Sequence, residues 1–318
     1  MQDMDLLDPF VRLLDDVAGM AVVRALEAGA PVGPVWQAIA DSGFLDALVA
    51  EASGGAGLTL AAIAPLIEAV GAHALPLPVA DTMVARAVLG GAAPRGPIVL
   101  VTSLAQPVPG ALYAEHALVD TGAALVLSPI AALAPQPTGV HGSSAASLSG
   151  VPQGPVFDRP AEGLRPIAAV LRAGLIAGAA ARLTDMTCGY ANERVQFGKP
   201  IGRQQALQQM LAVMAEDMVA CRIAARLGAS RGLNVPLHLA ASTKITTSAA
   251  AARLAASAHA VYGAIGISEE FDLQMLTRRL HEWRLADGSE GYWAGVLGTA
   301  RLGSAASTVD WVREAIFG

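Results

Sequence analysis

Apolar residues recur every three or four positions through the first hundred residues. The stretches "LLDPFVRLLDDVAG" (6–19), "GPVWQAIADSGFLDALV" (33–49) and "LTLAAIAPLIEAVGAHA" (58–74) carry this rhythm and predict helices. The period then changes. Between 98 and 160 the apolar residues come in short runs, "PIVLVTSL", "HALVDTGAALVLSPI" and "AASLSGV", separated by Pro, Gly and Ser, which predicts a small β segment. From 161 to the end the helical period returns over stretches long enough for four or five helices, two of them parted by "GLNVP" at 232–236. The pattern predicts a mainly α protein in three parts: a helical domain over 1–97, a small β domain over 98–160 and a helical bundle over 161–318. "SGGAGL" at 53–58 lacks both the preceding strand and the lysine of a phosphate loop and reads as a turn.

The polar exception to this rhythm is "ERVQFGKPIGRQQALQQMLAVMAEDM" at 193–218. One helix is expected over 166–193 and the next from 203, with Leu207, Met210, Leu211, Met214 and Met218 on its core face. Arg194, Gln196, Phe197, Gly198 and Lys199 thus gather on an interhelical corner. A guanidinium offers forked donors to paired anionic oxygens, Gln196 and Gln205 can bond an amide edge or a phosphate, and Phe197 offers a flat face. The group suits a dinucleotide; equally, Arg194 and Lys199 can solvate a helix end while Phe197 anchors the loop.

Charge and composition narrow the function further. The formal net charge of −6, without a block of Lys or Arg, argues against nucleic acid as a partner. The stretch "PIAAVLRAGLIAGAAARL" at 166–183 is interrupted by Arg172 and Arg182 and rich in Ala and Gly, so a packed helix is expected there and no membrane span. The acidic N-terminal sequence has no signal-peptide character, and Cys188 and Cys221 have neither metal-ligand spacing nor a disulfide framework, so a cytoplasmic setting and no metal are expected. His259, His281 and Lys244 read as helix-surface groups, and the methionines at 210, 214 and 218 as core.

At the corner the chain resembles the acyl-CoA dehydrogenases: Arg194, Phe197, Gly198 and Gln205 stand at the spacing of that family's Arg-x-x-Phe-Gly-Lys-Pro-Ile…Gln segment. The similarity extends to "VYGAIGISEEFDLQMLTRRLHEWRLADGSEGYW" at 261–293 and to the N-terminal stretch at 35–71. The resemblance implies the family's fold, here with a shortened β domain and a C-terminal four-helix bundle, and α,β-desaturation of an acyl-CoA thioester with FAD as cofactor and electron transfer flavoprotein as partner. It places Arg194, Phe197 and Gln205, with Gly263, Ala264 and Gly266 of the "GAIG" turn, at the adenosine diphosphate end of an FAD seated in a neighbouring subunit, and Gln196 joins this cofactor-binding set by its amide chemistry. An oligomer follows from that placement. Ala260 stands where the family often has Gln, so one amide contact is missing.

Desaturation needs a base that takes the α-proton while a hydride leaves the β-carbon. By resemblance Asp287 of "LADGSEGYW" occupies the place of the catalytic Glu, followed by the family's Gly at Gly288; alternatively it is a helix N-cap, with Glu290 completing a capping box. The family's second base position falls on Ala168 and Ala169, which carry no acid. No flavin-seating segment is recognisable within 98–160, and Trp36, Trp283, Trp293 and Trp311 all fall in helical stretches. Keeping the half that completes a neighbour's site resembles the small subunit of heteromeric, steroid-type acyl-CoA dehydrogenases. Three readings follow: a subunit completing an FAD site shared with a larger dehydrogenase-like chain, a self-sufficient homo-oligomer with Asp287 as base, and an FAD-free scaffold of the same fold.

Overall fold

The computed structural model describes residues 4–196 and 198–318. Five helices come first: α1 (Met4–Val17), α2 (Met20–Glu27), α3 (Gly33–Asp41), α4 (Leu60–Ala72) and α5 (Val79–Leu89). Thr59 caps α4 by accepting the amide of Ala62, and Pro34 occupies the first turn of α3, where its missing N–H costs nothing. The β segment follows with β1 (Ile98–Val101), β2 (His116–Asp120), β3 (Leu125–Pro129), β4 (Gln136–Pro137), β5 (Ala146–Ser147) and β6 (Val156–Phe157). Its main sheet runs β1-β2-β3-β6, with β1 parallel to β2 and the other pairs antiparallel. All of β1 is buried, as its uninterrupted apolar run requires.

The chain then forms α6 (Arg165–Glu193), a hairpin of β7 (Val195–Gln196) and β8 (Lys199–Pro200), α7 (Gln205–Ala229), α8 (Leu237–Tyr262), α9 (Leu273–Leu285), α10 (Glu290–Leu302) and α11 (Thr308–Val312). Among the described residues six α-helices therefore stand where four or five are expected. The extra count comes from the short α11 and from a break between α9 and α10, where Asp287 (φ 56°) and Gly288 (φ 105°) both turn left-handed.

α6 is the axis of the bundle, packing against α4, α7, α8 and α9. By length and hydropathy it passes the test for a membrane-crossing helix, yet 89% of its most apolar window is buried inside the fold. Its Ala and Gly content has a packing cause. A Cβ on Gly178 would lie 1.7 Å from the carbonyl oxygen of Glu68, and one on Gly71 would lie 2.1 Å from that of Leu175. Only glycine allows α4 and α6 to cross this closely. Met214 is core, as expected, and all four Trp sit in helices.

Candidate functional site

The interhelical corner is built by backbone geometry. α6 ends when Arg194 leaves the helical region (ψ 115°), and the chain returns through the β7–β8 hairpin, where Gln196 pairs with Lys199 and Gly198 takes φ 75°. The amide of Ile201 donates to the Arg194 carbonyl at 2.8 Å, closing the corner. Opposite it, α8 ends at Gly263, whose φ of 63° and open Cβ direction expose its backbone. Between them lies a cleft of about 460 Å³ walled by Tyr190, Arg194, Gln196, Gln204, Gly263 and Ala264, among others. Tyr190 and Tyr262 stack with centroids 4.1 Å apart, which stiffens that wall.

Four of the expected residues thus meet in one cleft: Arg194, Gln196, Gly263 and Ala264. Gln205 does not line it; it opens α7 with an exposed side chain, and the preceding Gln204 faces the cleft instead. Gly266 is buried, with its Cβ direction 2.9 Å from both Leu273 and Tyr262, so its smallness serves packing. Phe197 lies outside the described residues. Ala260 lines the cleft, placing a methyl where an amide is missing. Arg194 is exposed and, among the described residues, its guanidinium has no acidic partner. Its free forked donors, the Gln amides and the accessible backbone of Gly263 fit the phosphate end of a dinucleotide.

Asp287 has a different environment. Its Oδ1 accepts from the Thr102 hydroxyl at 2.8 Å and its Oδ2 from Arg172 Nε at 3.0 Å, and the residue is 8% exposed. The rest of the Arg172 fork binds Asp81 with two bonds of 2.8 Å. Arg172 is 3% exposed and Asp81 fully buried. Burial works against the charge on Arg172, but Asp81 and then Asp287 outweigh it and hold the guanidinium more firmly cationic than usual. Burial likewise pushes the Asp81 carboxyl up, opposed in part by Arg172 and the Leu100 amide, which favour the ionised form.

The capping role considered for Asp287 belongs to Ser289, whose side chain accepts the Tyr292 amide at the start of α10. Glu290 does not close a capping box; it pairs with Arg284. The placing of Lys244 on a helix surface is also overturned, because it is 0% exposed beneath the Asp287 turn. His281 is exposed as expected, and half-buried His259 hydrogen-bonds Thr277. Above Asp287, Thr102, Ser103, Asp120, Arg159, Arg165 and Tyr292 line a second cleft of about 590 Å³. Arg165 is fixed there by the Tyr292 hydroxyl at 2.7 Å and the Thr102 carbonyl at 3.3 Å.

Residues 167–300 match the family profile described as "Acyl-CoA dehydrogenase, C-terminal domain". Over 280 residues the chain is 30% identical to acyl-CoA dehydrogenase IpdE2 of Mycobacterium tuberculosis, covering 83% of this chain and 86% of the relative. The chain belongs to the acyl-CoA dehydrogenase family. The Mycolicibacterium smegmatis protein of the same name is 28% identical over 281 residues, 82% of this chain and 86% of that one. Among solved structures, the fold matches a chain of the ChsE4-ChsE5 complex from Mycobacterium tuberculosis (TM-score 0.81, 20% identity, 96% of this chain and 98% of that one). It also matches a chain of the G363A variant of the Tcur3481-Tcur3483 steroid acyl-CoA dehydrogenase (TM-score 0.81, 22% identity, 96% of this chain and 99% of that one). At such identities these two show the acyl-CoA dehydrogenase fold alone.

Sequence reasoning missed Asp81, Thr102, Arg172 and Lys244. One signal was present: an arginine inside an apolar helix needs a buried acid. Its partners lie 91 and 115 positions away in sequence, which periodicity cannot reach.

Proposed function

We propose that this chain is a subunit of a flavin-dependent acyl-CoA dehydrogenase that completes an FAD site shared with a larger dehydrogenase-like chain, the desaturating base lying on that chain. The observation carrying this reading is the contrast between two groups. Asp287, the acid at the base position, is locked between Thr102 and Arg172, whereas Arg194 stands exposed at an open cleft and has no acidic partner among the described residues.

A base must reach an α-carbon proton, and a nearly buried carboxylate bonded to a guanidinium is badly placed to do so. Arg194, Gln196, Gln204 and the Gly263 backbone would hold the diphosphate end of FAD, which supplies hydride acceptance when bound. The covered surface would exclude water from those charge-assisted bonds and strengthen them. The partner in this reading is a second, dehydrogenase-like chain and the substrate a steroid-type acyl-CoA thioester, in lipid or steroid catabolism in the cytoplasm; the two-chain ChsE4-ChsE5 complex and the Tcur3481-Tcur3483 steroid acyl-CoA dehydrogenase, which share the fold, are the models for it. Electron transfer flavoprotein is the expected electron acceptor.

The test is Asp287→Asn in the co-expressed complex, read by acyl-CoA-dependent dye reduction. The subunit reading expects turnover within about threefold of the parent in correctly folded, flavin-loaded complex. Loss of roughly two to four powers of ten, the effect of removing a general base, would make Asp287 the base and overturn the placing of the base on the larger chain.

A further inference from the structure

The turn that carries Asp287 is held from below by one side chain of another helix. Lys244, on α8, donates to the carbonyls of Trp283 at 2.9 Å, Arg284 at 2.7 Å and Gly288 at 3.0 Å, and to Ser248 Oγ at 3.2 Å. Trp283 and Arg284 lie in the last turn of α9, where backbone carbonyls have no partner within their own helix. The usual remedy is a glycine-based cap after the last turn. Here the chain leaves α9 through an extended Ala286, whose amide still reaches Glu282, and a left-handed Asp287. The remaining carbonyls therefore depend on a donor from outside, and a cation at a helix C-terminus also matches the local dipole.

We propose that Lys244 is the positioning residue of the Asp287 turn: its ammonium caps α9 from α8 and, through Gly288, fixes the left-handed conformation that aims the Asp287 carboxylate at Arg172 and Thr102. The geometry requires a donor of this reach and valence. Three N–H groups meet four oxygens, and the three carbonyls sit on both sides of Asp287, so one group spans the turn. The charge has a local reason as well. Arg172 faces two carboxylates, leaving an excess negative charge that Lys244 offsets; burial lowers the Lys244 pKa and Asp287 pulls it back up, leaving it at about 7, so the ammonium with its three N–H groups is the form that holds the turn below that pH. A methionine in this place would fill the volume and supply no donor. This role rests on the turn itself and holds whichever chain supplies the base.

The test uses the isolated full chain, with no cofactor. Trp293 donates its indole N–H to the Asp287 carbonyl at 3.1 Å, which makes it a reporter of the turn, and the Ala286 amide is a second. In Lys244→Met, hydrogen exchange at these two sites should accelerate at least tenfold more than in the centre of α6, and the indole resonance should shift. Unchanged protection at both sites, or an equal loss across α6 and the turn, would overturn the proposal. If Lys244→Met does not fold, Lys244→Cys is made in a Cys188→Ala, Cys221→Ala background that itself folds with Lys244 in place, and alkylation with 2-bromoethylamine in denaturant then regenerates a lysine-length ammonium at that position alone. Refolding with restored protection at Ala286 and Trp293 supports the role, and failure to restore it refutes it.

Discussion

Arg172→Met is expected to destabilise the fold by about 3–5 kcal/mol, the usual cost of removing one partner from a buried ion pair. The guanidinium is bonded to Asp81 by two donors and to Asp287 by a third, and all three groups lie out of water. Methionine keeps the volume and leaves two carboxylates facing each other, with only Lys244 nearby to offset them. Asp81, which burial already pushes up, would lose the guanidinium that opposes that shift and take up a proton that the unfolded chain releases, so its folded pKa stands above the unfolded one. Its contribution is retained in acid and lost as the pH rises, making the defect larger at about pH 8 than at about pH 5. Urea denaturation at both pH values measures it. Adding Asp81→Asn and Asp287→Asn to Arg172→Met should recover much of the loss, since the cost comes from uncompensated charge. A loss below about 1 kcal/mol for the single variant would mean that water reaches the cluster.

Arg194→Ala is expected to leave the isolated chain's stability almost unchanged, because its side chain is exposed there and has no acidic partner among the described residues. In the assembled enzyme, where a partner subunit covers the cleft, the same change should cost about 2–5 kcal/mol of FAD binding, the range for truncating one side of a buried charge pair. Flavin content after gel filtration reads the effect directly. Retention equal to the parent would make Arg194 a solvated helix end.

The division into helices, β segment and helices was legible because apolar spacing follows local geometry, and residues 166–193 read from that spacing are α6 within one residue. The corner was legible for a similar reason: Gly198, Pro200 and Gly202 interrupt the helical rhythm next to a polar cluster. What escaped was long-range. Thr102 meets Asp287 across 185 positions, and nothing in either segment announces the other. Lys244 shows the same limit, since a lysine among the Ala, Ser and Thr of α8 carries no mark of the orphan carbonyls that it serves. Asp287 illustrates a second limit. Asp-Gly-Ser-Glu fits both a base position and a capping box by spacing, and the choice of Ser289 as cap follows from backbone angles that the residue types do not fix.

The most direct test of the account is the visible flavin spectrum of the purified chain alone and after co-expression with a longer acyl-CoA dehydrogenase chain. The account predicts a colourless or substoichiometric isolated chain and a yellow heteromeric complex that loses its flavin on Arg194→Ala. One FAD per chain in the isolated protein, retained by that variant, would contradict it.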